Sequence, residues 1–273
     1  MAAEAEVGIT TRMVRYGNAL EAFLAVPERA GPHPCVILLH ERYGLVQHTR
    51  DLAMRFARDG YLCLAPNLYS RFAEQARLAT GELQVPLPDP QVLDDLNASI
   101  AYLETMPAAD LRRLALMGVC LTGRFPLVVA AHRTDIGACL VFYGAAQPRE
   151  WEVNERQPEP LETLIGRVRC PVLGIFGEAD HLITVDDVRR FRDALERQRK
   201  SYHLRLFAGA PHGWLNDTMP GRYRREAAEE AWRLTLAFLE RVWCGAYPPE
   251  RVRWTFESDT ALDYDPRRNV RLE

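Results

Sequence analysis

Short, mostly apolar runs constrain the fold of this chain more than any other feature of its sequence. Runs of this kind are typical of strands that are buried on both faces of a sheet. Segments with apolar residues at helical spacing separate them, and strands that alternate with helices predict a parallel sheet covered on both faces. The sequence therefore predicts an α/β fold whose core strands lie at 35–39, 61–65, 114–117, 138–142, 172–176 and 202–207.

An antiparallel hairpin is predicted at the start of the chain. Residues 20–26 alternate between apolar and more polar side chains, as a half-buried strand does, and Gly17 and Asn18 before them form a turn signal. The central sheet should therefore be mostly parallel, with an antiparallel addition. Helices are expected at 49–59, 90–105, 121–132, 185–199 and 222–242.

Length, composition and charge exclude several classes of protein. The chain has 273 residues, 48% of them hydrophobic, which is enough to bury the core of one large domain, expected at 1–243. A formal net charge of -3 argues against a nucleic-acid partner. The sequence lacks an apolar run of about 18 residues, so we expect no membrane span. Residues 1–10 lack the basic start and apolar core of a signal peptide.

The six cysteines follow neither a zinc-binding nor a CxxC pattern. Unpaired cysteines are typical of a reducing compartment, so we expect a cytoplasmic protein. The catalytic residues predicted below need no metal and no organic cofactor. Most free cysteines are small buried residues, and five of the six fit that interpretation. The exception is Cys120.

Cys120 stands between a predicted strand and a predicted helix, with Gly118 before it and Gly123 after it. A glycine-flanked nucleophile on a sharp strand-to-helix turn is a nucleophile elbow, here with sulfur in place of the usual serine oxygen. The thiolate is a strong nucleophile, and a helix N-terminus helps to stabilise it. The pattern predicts covalent catalysis at Cys120.

A cysteine nucleophile needs a base, and His212 is the favoured candidate. It lies in the loop after the last core strand, where Pro211 and Gly213 impose an irregular backbone. His181 is a rival base. His40 ends a strand and is expected to be a buried hydrogen-bonding residue near the site.

The base in turn needs an acid that orients it. Asp180 follows the strand at 172–176 and is favoured, with Glu178 as its competitor. The order Cys120, Asp180, His212 is the chain order of nucleophile, acid and histidine in folds with this elbow.

Several ordered segments of the chain resemble the dienelactone hydrolase (carboxymethylenebutenolidase-like) family of the α/β-hydrolase superfamily. They span most of residues 20–242. The matching segments are 38–45 (LLHERYGL), 60–66 (GYLCLAP), 95–102 (DLNASIAY), 118–123 (GVCLTG), 142–144 (FYG), 177–180 (GEAD) and 211–214 (PHGW).

The resemblance implies the three-layer α/β-hydrolase fold and hydrolysis of a small ester or lactone. It implies a triad of Cys120, His212 and Asp180, and a role for Glu41 in controlling ionisation of the thiol. Because a nearby carboxylate disfavours a thiolate, we expect Cys120 to rest as a neutral thiol. The oxyanion hole is expected from the backbone N–H groups of Leu121 and Arg42.

Departures from the family pattern bear on the substrate. Thr122 stands where the family's elbow usually has a glycine, and an arginine is missing from the place shortly after His212 where dienelactone-cleaving members bind a carboxylate. Positive charge could come from any of four arginines, and aromatic residues either line the pocket or simply pack. These are Arg42, Arg71, Arg77 and Arg124 for the charge, and Tyr43, Tyr143 and Trp214 for the aromatic residues.

The segment 244–273 has a different character. Prolines break the chain after the last long helix, and apolar residues at 252, 254 and 256 alternate like those of a strand. This extension is expected to pack either on its own domain or on the partner subunit of a homodimer. As an alternative to catalysis, the chain could be a non-catalytic α/β-hydrolase scaffold that binds a small ligand or a protein.

Overall fold

The computed structural model describes residues 8–259, which contain nine strands in a single sheet. In chain order the strands are β1 (Ile9–Tyr16), β2 (Leu20–Pro27), β3 (His33–Leu38), β4 (Leu62–Pro66), β5 (Ala109–Val119), β6 (Ala138–Phe142), β7 (Val172–Gly177), β8 (Tyr202–Phe207) and β9 (Trp254–Ser258). The α-helices are α1 (Gln47–Arg58), α2 (Gln75–Thr80), α3 (Asp89–Glu104), α4 (Phe125–His132), α5 (Leu161–Arg167), α6 (Val185–Arg197) and α7 (Arg225–Trp243).

The sheet is mostly parallel. Its strand order is β1-β2-β4-β3-β5-β6-β7-β8-β9, and every neighbouring pair from β4 to β9 is parallel. β1 and β2 are antiparallel to each other, and β2 is antiparallel to β4. The predicted parallel sheet with an antiparallel hairpin at its start is confirmed.

Helices cover both faces of this sheet, because successive residues of a strand point to opposite sides. In β3, Cys35 and Ile37 pack with residues of α3, α4, α5 and α6. Val36 and Leu38 of the same strand pack on the other side with residues of α1 and α7. Both faces need apolar side chains, which explains the apolar runs in the sequence. The predicted three-layer α/β architecture is confirmed.

The elements differ from the predicted ones mainly at their ends. β5 begins at Ala109 rather than at 114, and α7 begins at Arg225 rather than at 222. The helix expected at 121–132 consists of a 3₁₀ turn, Cys120–Arg124, followed by α4, whose first turn contains Pro126. Within residues 8–259, none of the helices is both long and apolar enough to span a membrane.

The strand expected in the C-terminal extension is β9, which pairs in parallel with β8 at the edge of the chain's own sheet. Trp254 of β9 is half exposed there. The domain division at residue 243 stays a prediction, and residues 260–273 lie outside the described part of the chain.

The carboxyl ends of the parallel strands bring the predicted site residues to one edge of the sheet. Cys120 follows β5 directly, and Tyr143 follows β6 directly. Glu41, Asp180 and His212 lie in the loops after β3, β7 and β8. Ligands of parallel α/β sheets bind at this edge, because the loops there surround a crevice.

Candidate active site

Cys120 has the strained backbone of a nucleophile elbow. Its φ of 57° lies in the left-handed region, which costs a residue other than glycine about 1–3 kcal/mol. Close backbone packing supports the turn. A Cβ atom on Gly118 would lie 2.3 Å from the carbonyl oxygen of Thr122, and one on Gly123 would lie 2.6 Å from the Cα of Gly144. The glycines around Cys120 are therefore required by close contacts.

Thr122 faces into the protein rather than toward the entrance of the site. Its side chain is fully buried. The hydroxyl donates to the carbonyl oxygen of Val119 and accepts from the N–H of the same residue, both at 3.0 Å. Thr122 therefore closes the elbow with two hydrogen bonds.

A continuous hydrogen-bond chain joins Cys120, His212 and Asp180. His212 Nε2 lies 3.1 Å from the Sγ atom of Cys120, and Nδ1 lies 2.7 Å from Oδ2 of Asp180. The other carboxylate oxygen of Asp180 accepts from the N–H groups of Leu182 (2.7 Å) and Ile183 (3.0 Å). Because a carboxylate accepts, His212 Nδ1 carries a proton and Nε2 faces the sulfur.

The charges along this hydrogen-bond chain favour the protonated imidazole of His212. Burial by itself lowers the pKa of His212. The hydrogen bonds to Asp180 and Cys120, together with the negative charge of both partners, outweigh burial and raise the pKa of His212 to about 10. The site is thus suited to moving a proton from sulfur to nitrogen.

The rival acid, Glu178, and the rival base, His181, are not part of this hydrogen-bond chain. Glu178 Oε2 accepts from the N–H of Gly209 at 3.0 Å, whereas His212 bonds to Asp180. His181 is exposed, and its ring centre lies 6.3 Å from that of His212.

Glu41 is buried beside the hydrogen-bond chain of the site, and two neutral donors bind its carboxylate. Its carboxylate accepts from the Tyr143 hydroxyl at 3.2 Å and from Asn216 Nδ2 at 2.6 Å. Asn216, which lies four positions after His212, was not among the residues predicted from the sequence. Its place in the loop of the histidine was the available signal.

His40 fixes the peptide that follows it. Its Nδ1–H donates to the carbonyl oxygen of Glu41 at 2.6 Å, and its Nε2 accepts from the N–H of Leu68 at 3.1 Å. Both bonds require a neutral ring, and burial lowers the pKa of His40 to about 4.

The N–H groups of Arg42 and Leu121 are free to bind an anion. Neither has an acceptor among residues 8–259. The peptide bond between Glu41 and Arg42 is trans, so its C=O and N–H groups point in opposite directions. The Arg42 N–H therefore points away from the Glu41 carbonyl oxygen that bonds to His40.

A cavity of about 850 Å³ opens over Cys120. Of the predicted site residues, Arg42, Cys120, Leu121 and Arg124 line it. Tyr143 and Trp214 are fully buried behind His212, with ring centres 5.4 Å apart, and Tyr43 is also outside the cavity wall. The three aromatic residues therefore lie outside the cavity lining.

The four candidate arginines differ in what their guanidinium groups contact. Arg124 is buried and bonds both carboxylate oxygens of Asp89 and the carbonyl oxygen of Glu150. Arg71 pairs with Asp95, and Arg77 pairs with glutamates of its own segment.

Arg42 is the exception among them. Within residues 8–259, its guanidinium has no carboxylate partner, its buried Nε lacks an acceptor, and it lies 5.0 Å from the ring of Tyr43. Arg42 is therefore the arginine of the four that can offer a positive charge to a ligand beside Cys120.

The model of the dienelactone hydrolase family matches residues 20–243. A "Putative carboxymethylenebutenolidase" of Escherichia coli (strain K12) is 31% identical over 238 residues, which are 85% of this chain and 86% of that protein. A protein of the same description from Methylorubrum extorquens is 30% identical over 221 residues, which are 79% of this chain and 75% of that protein.

A solved structure agrees with these relatives. The crystal structure of a "Putative Dienelactone Hydrolase" from Klebsiella pneumoniae has a TM-score of 0.78 and 30% identity, and the match covers 86% of this chain and 99% of that one. The chain therefore belongs to the dienelactone hydrolase family, has the α/β-hydrolase fold and is a carboxylic-ester hydrolase.

Proposed function

We propose that the protein hydrolyses a small-molecule ester or lactone through an acyl-cysteine intermediate on Cys120. The observation that carries the proposal is the hydrogen-bond chain from Asp180 through His212 to the Cys120 sulfur, at 2.7 and 3.1 Å. A nucleophile, a base and an orienting acid in this arrangement form the unit that covalent hydrolases use.

The first half of the reaction acylates the enzyme. His212 Nε2 takes the thiol proton, and the thiolate attacks the carbonyl carbon to form the carbon–sulfur bond. The carbonyl oxygen becomes an oxyanion that accepts from the N–H groups of Arg42 and Leu121. When the intermediate collapses, the carbon–oxygen bond breaks and His212 returns the proton to the leaving alkoxide. In a lactone, this alcohol stays attached to the acyl chain.

The second half releases the acid. His212 accepts a proton from a water molecule, and the resulting hydroxide attacks the thioester carbon. The same N–H groups bind the second oxyanion. Its collapse breaks the carbon–sulfur bond, and His212 returns the proton to sulfur. Asp180 holds the imidazole in the required tautomer through both halves.

We propose further that Arg42 binds an anionic group of the substrate. Its guanidinium has no carboxylate partner in the described part of the chain and shares the cavity wall with Cys120. Arg124 lines the same cavity, but Asp89 already neutralises it. An arginine without an ion pair recognises a carboxylate through two parallel hydrogen bonds.

The test of the nucleophile is the Cys120→Ala variant assayed on 4-nitrophenyl acetate, with intact-mass analysis of the acylated enzyme. We expect turnover to fall by at least about 1000-fold, as when a triad member is removed. The acetyl adduct should disappear and the circular dichroism spectrum should be unchanged. Cys244→Ala is the matched control, because Cys244 at the end of α7 is an exposed thiol and not the buried residue that the sequence predicted. Wild-type turnover in the Cys120→Ala variant would disprove the proposal.

A further inference from the structure

We propose that Asn216 and Tyr143 are positioning residues that hold the Glu41 carboxylate off the Cys120 thiol, so that the thiol bonds to His212 before substrate binds. The inference rests on the proposed function only in taking Cys120 as the nucleophile. It differs from the sequence-based expectation in one respect, because Glu41 is then not the hydrogen-bond partner of the Cys120 thiol.

The Glu41 carboxylate is buried and has two hydrogen-bond donors. Glu41 is 4% exposed, and a buried carboxylate needs hydrogen-bond donors. Tyr143 donates to Oε1 at 3.2 Å, and Asn216 donates to Oε2 at 2.6 Å. Within residues 8–259, the carboxylate forms no hydrogen bond to Cys120. Each carboxylate oxygen thus has its own donor, and neither donor is the thiol.

The orientation of Asn216 is determined by its other contacts. Its Oδ1 accepts from the N–H of Thr218 at 3.1 Å and from the hydroxyl of the same residue at 2.7 Å. A backbone N–H can only donate, so Oδ1 must face Thr218 and the amide NH₂ must face Glu41. Asn216 is 1% exposed, so water does not compete for this contact.

Tyr143 is held equally firmly. Burial and the negative charge of Glu41 raise the pKa of Tyr143, so its hydroxyl keeps the proton that it donates. The backbone φ of Tyr143 is 33°, in the left-handed region, and its ring packs edge-on against His212 with centres 5.2 Å apart. A side chain on a strained backbone between two rings has little freedom to release the carboxylate.

The position of the Glu41 carboxylate decides which group accepts the hydrogen bond from the Cys120 thiol. A carboxylate that accepted the S–H bond would keep the proton on sulfur, and its negative charge would disfavour the thiolate. With Glu41 held by Asn216 and Tyr143, the hydrogen-bond partner of the sulfur is His212 Nε2 at 3.1 Å. The ionisable groups around the sulfur are His212 with Asp180 behind it, Glu41, Arg42, Tyr69 and Tyr143.

The test is the pH dependence of Cys120 alkylation by iodoacetamide, followed by peptide mass spectrometry. In Asn216→Ala, the released carboxylate should reach the sulfur. We expect the midpoint of the profile to rise by about one pH unit and alkylation at neutral pH to slow about tenfold. Glu41→Gln combined with Asn216→Ala should restore the wild-type rate, because the released side chain then carries no charge.

The double variant distinguishes this role from a merely structural one. If Asn216→Ala displaced His212, alkylation would stay slow in the double variant, and that result would overturn the proposal. An Asn216→Ala profile identical to that of the wild type would overturn it as well. Thr218→Val is a milder second variant, because Thr218 is exposed and its hydroxyl only orients Asn216. It should shift the midpoint in the same direction by less.

These measurements do not depend on turnover. If Cys120→Ala kept its esterase activity, the proposed function would fail, while the alkylation profiles would still decide whether Asn216 holds the Glu41 carboxylate off the thiol.

Discussion

The Nδ1–H of His40 donates to the carbonyl oxygen of Glu41 at 2.6 Å, and this bond sets the direction of the next N–H, that of Arg42. The ring is held from the other side by the N–H of Leu68. A buried histidine outside the lining of the cavity over Cys120 therefore positions one donor of the proposed oxyanion hole.

We expect His40→Ala to lower kcat by about 10- to 100-fold with a small change in KM. The loss should be smaller than the roughly 100- to 1000-fold cost of removing an oxyanion donor, because the N–H remains but is less well oriented. Steady-state kinetics on 4-nitrophenyl acetate measure both parameters. His132→Ala is the control, since His132 is half-buried on α4 and bonds the carbonyl oxygen of Val128. A kcat within twofold of the wild type would show that the peptide needs no support from His40.

Asp180→Asn should reduce kcat by about 10,000-fold, because the amide permits the imidazole tautomer that cannot accept the thiol proton. Glu178→Gln is the matched variant, and we expect activity within a fewfold of the wild type. Its carboxylate accepts from Gly209 instead of His212. Equal losses in the two variants would contradict the assignment of Asp180.

The raised pKa of His212 makes stability depend on pH with a definite sign. A group whose pKa is raised from 6.5 to about 10 on folding contributes stability that is complete below pH 6.5 and disappears as the pH rises through 10. The free energy of unfolding of the wild type, measured relative to His212→Gln, should therefore fall between pH 7 and pH 10. Urea unfolding at three pH values in this range measures it. A difference that grew with pH would contradict the raised pKa.

Thr122→Val should destabilise the protein by about 1–3 kcal/mol. Valine has a similar shape but leaves the buried N–H and carbonyl of Val119 without the threonine hydroxyl. Chemical denaturation measures the loss, and Thr105→Val, at an exposed threonine, should change stability by less. Equal stability of Thr122→Val and the wild type would indicate that water or a backbone shift replaces both hydrogen bonds.

Arg42→Gln separates the two proposed roles of this residue, because the variant keeps the backbone N–H. We expect kcat/KM for mono-4-nitrophenyl succinate, which carries a carboxylate, to fall about tenfold, equivalent to about 1.4 kcal/mol. The value for neutral 4-nitrophenyl acetate should change little. Equal effects on both esters would argue that the guanidinium does not bind the carboxylate.

Local sequence patterns predicted the core strands, the turn at Cys120 and three residues of the site. Apolar runs predicted the six core strands, because a strand buried on both faces must be apolar throughout. The glycines around Cys120 predicted the elbow, since the turn brings backbone atoms into contact. Cys120, Asp180 and His212 each follow a predicted core strand, and the structure brings them within hydrogen-bonding distance at the carboxyl edge of the sheet.

Contacts between distant parts of the chain decided the rest. The sequence favoured Asp180 over Glu178 as the acid, but only the path of the loop after β7 brings the Asp180 carboxylate to His212. Glu41 and Asn216 are 175 positions apart, so no local pattern could show that one holds the other. Arg124 follows the nucleophile closely, yet it forms an ion pair with Asp89, 35 positions away. Sequence periodicity determines which face of a strand or helix is buried, whereas the partner of a buried charge depends on which loops the fold brings together.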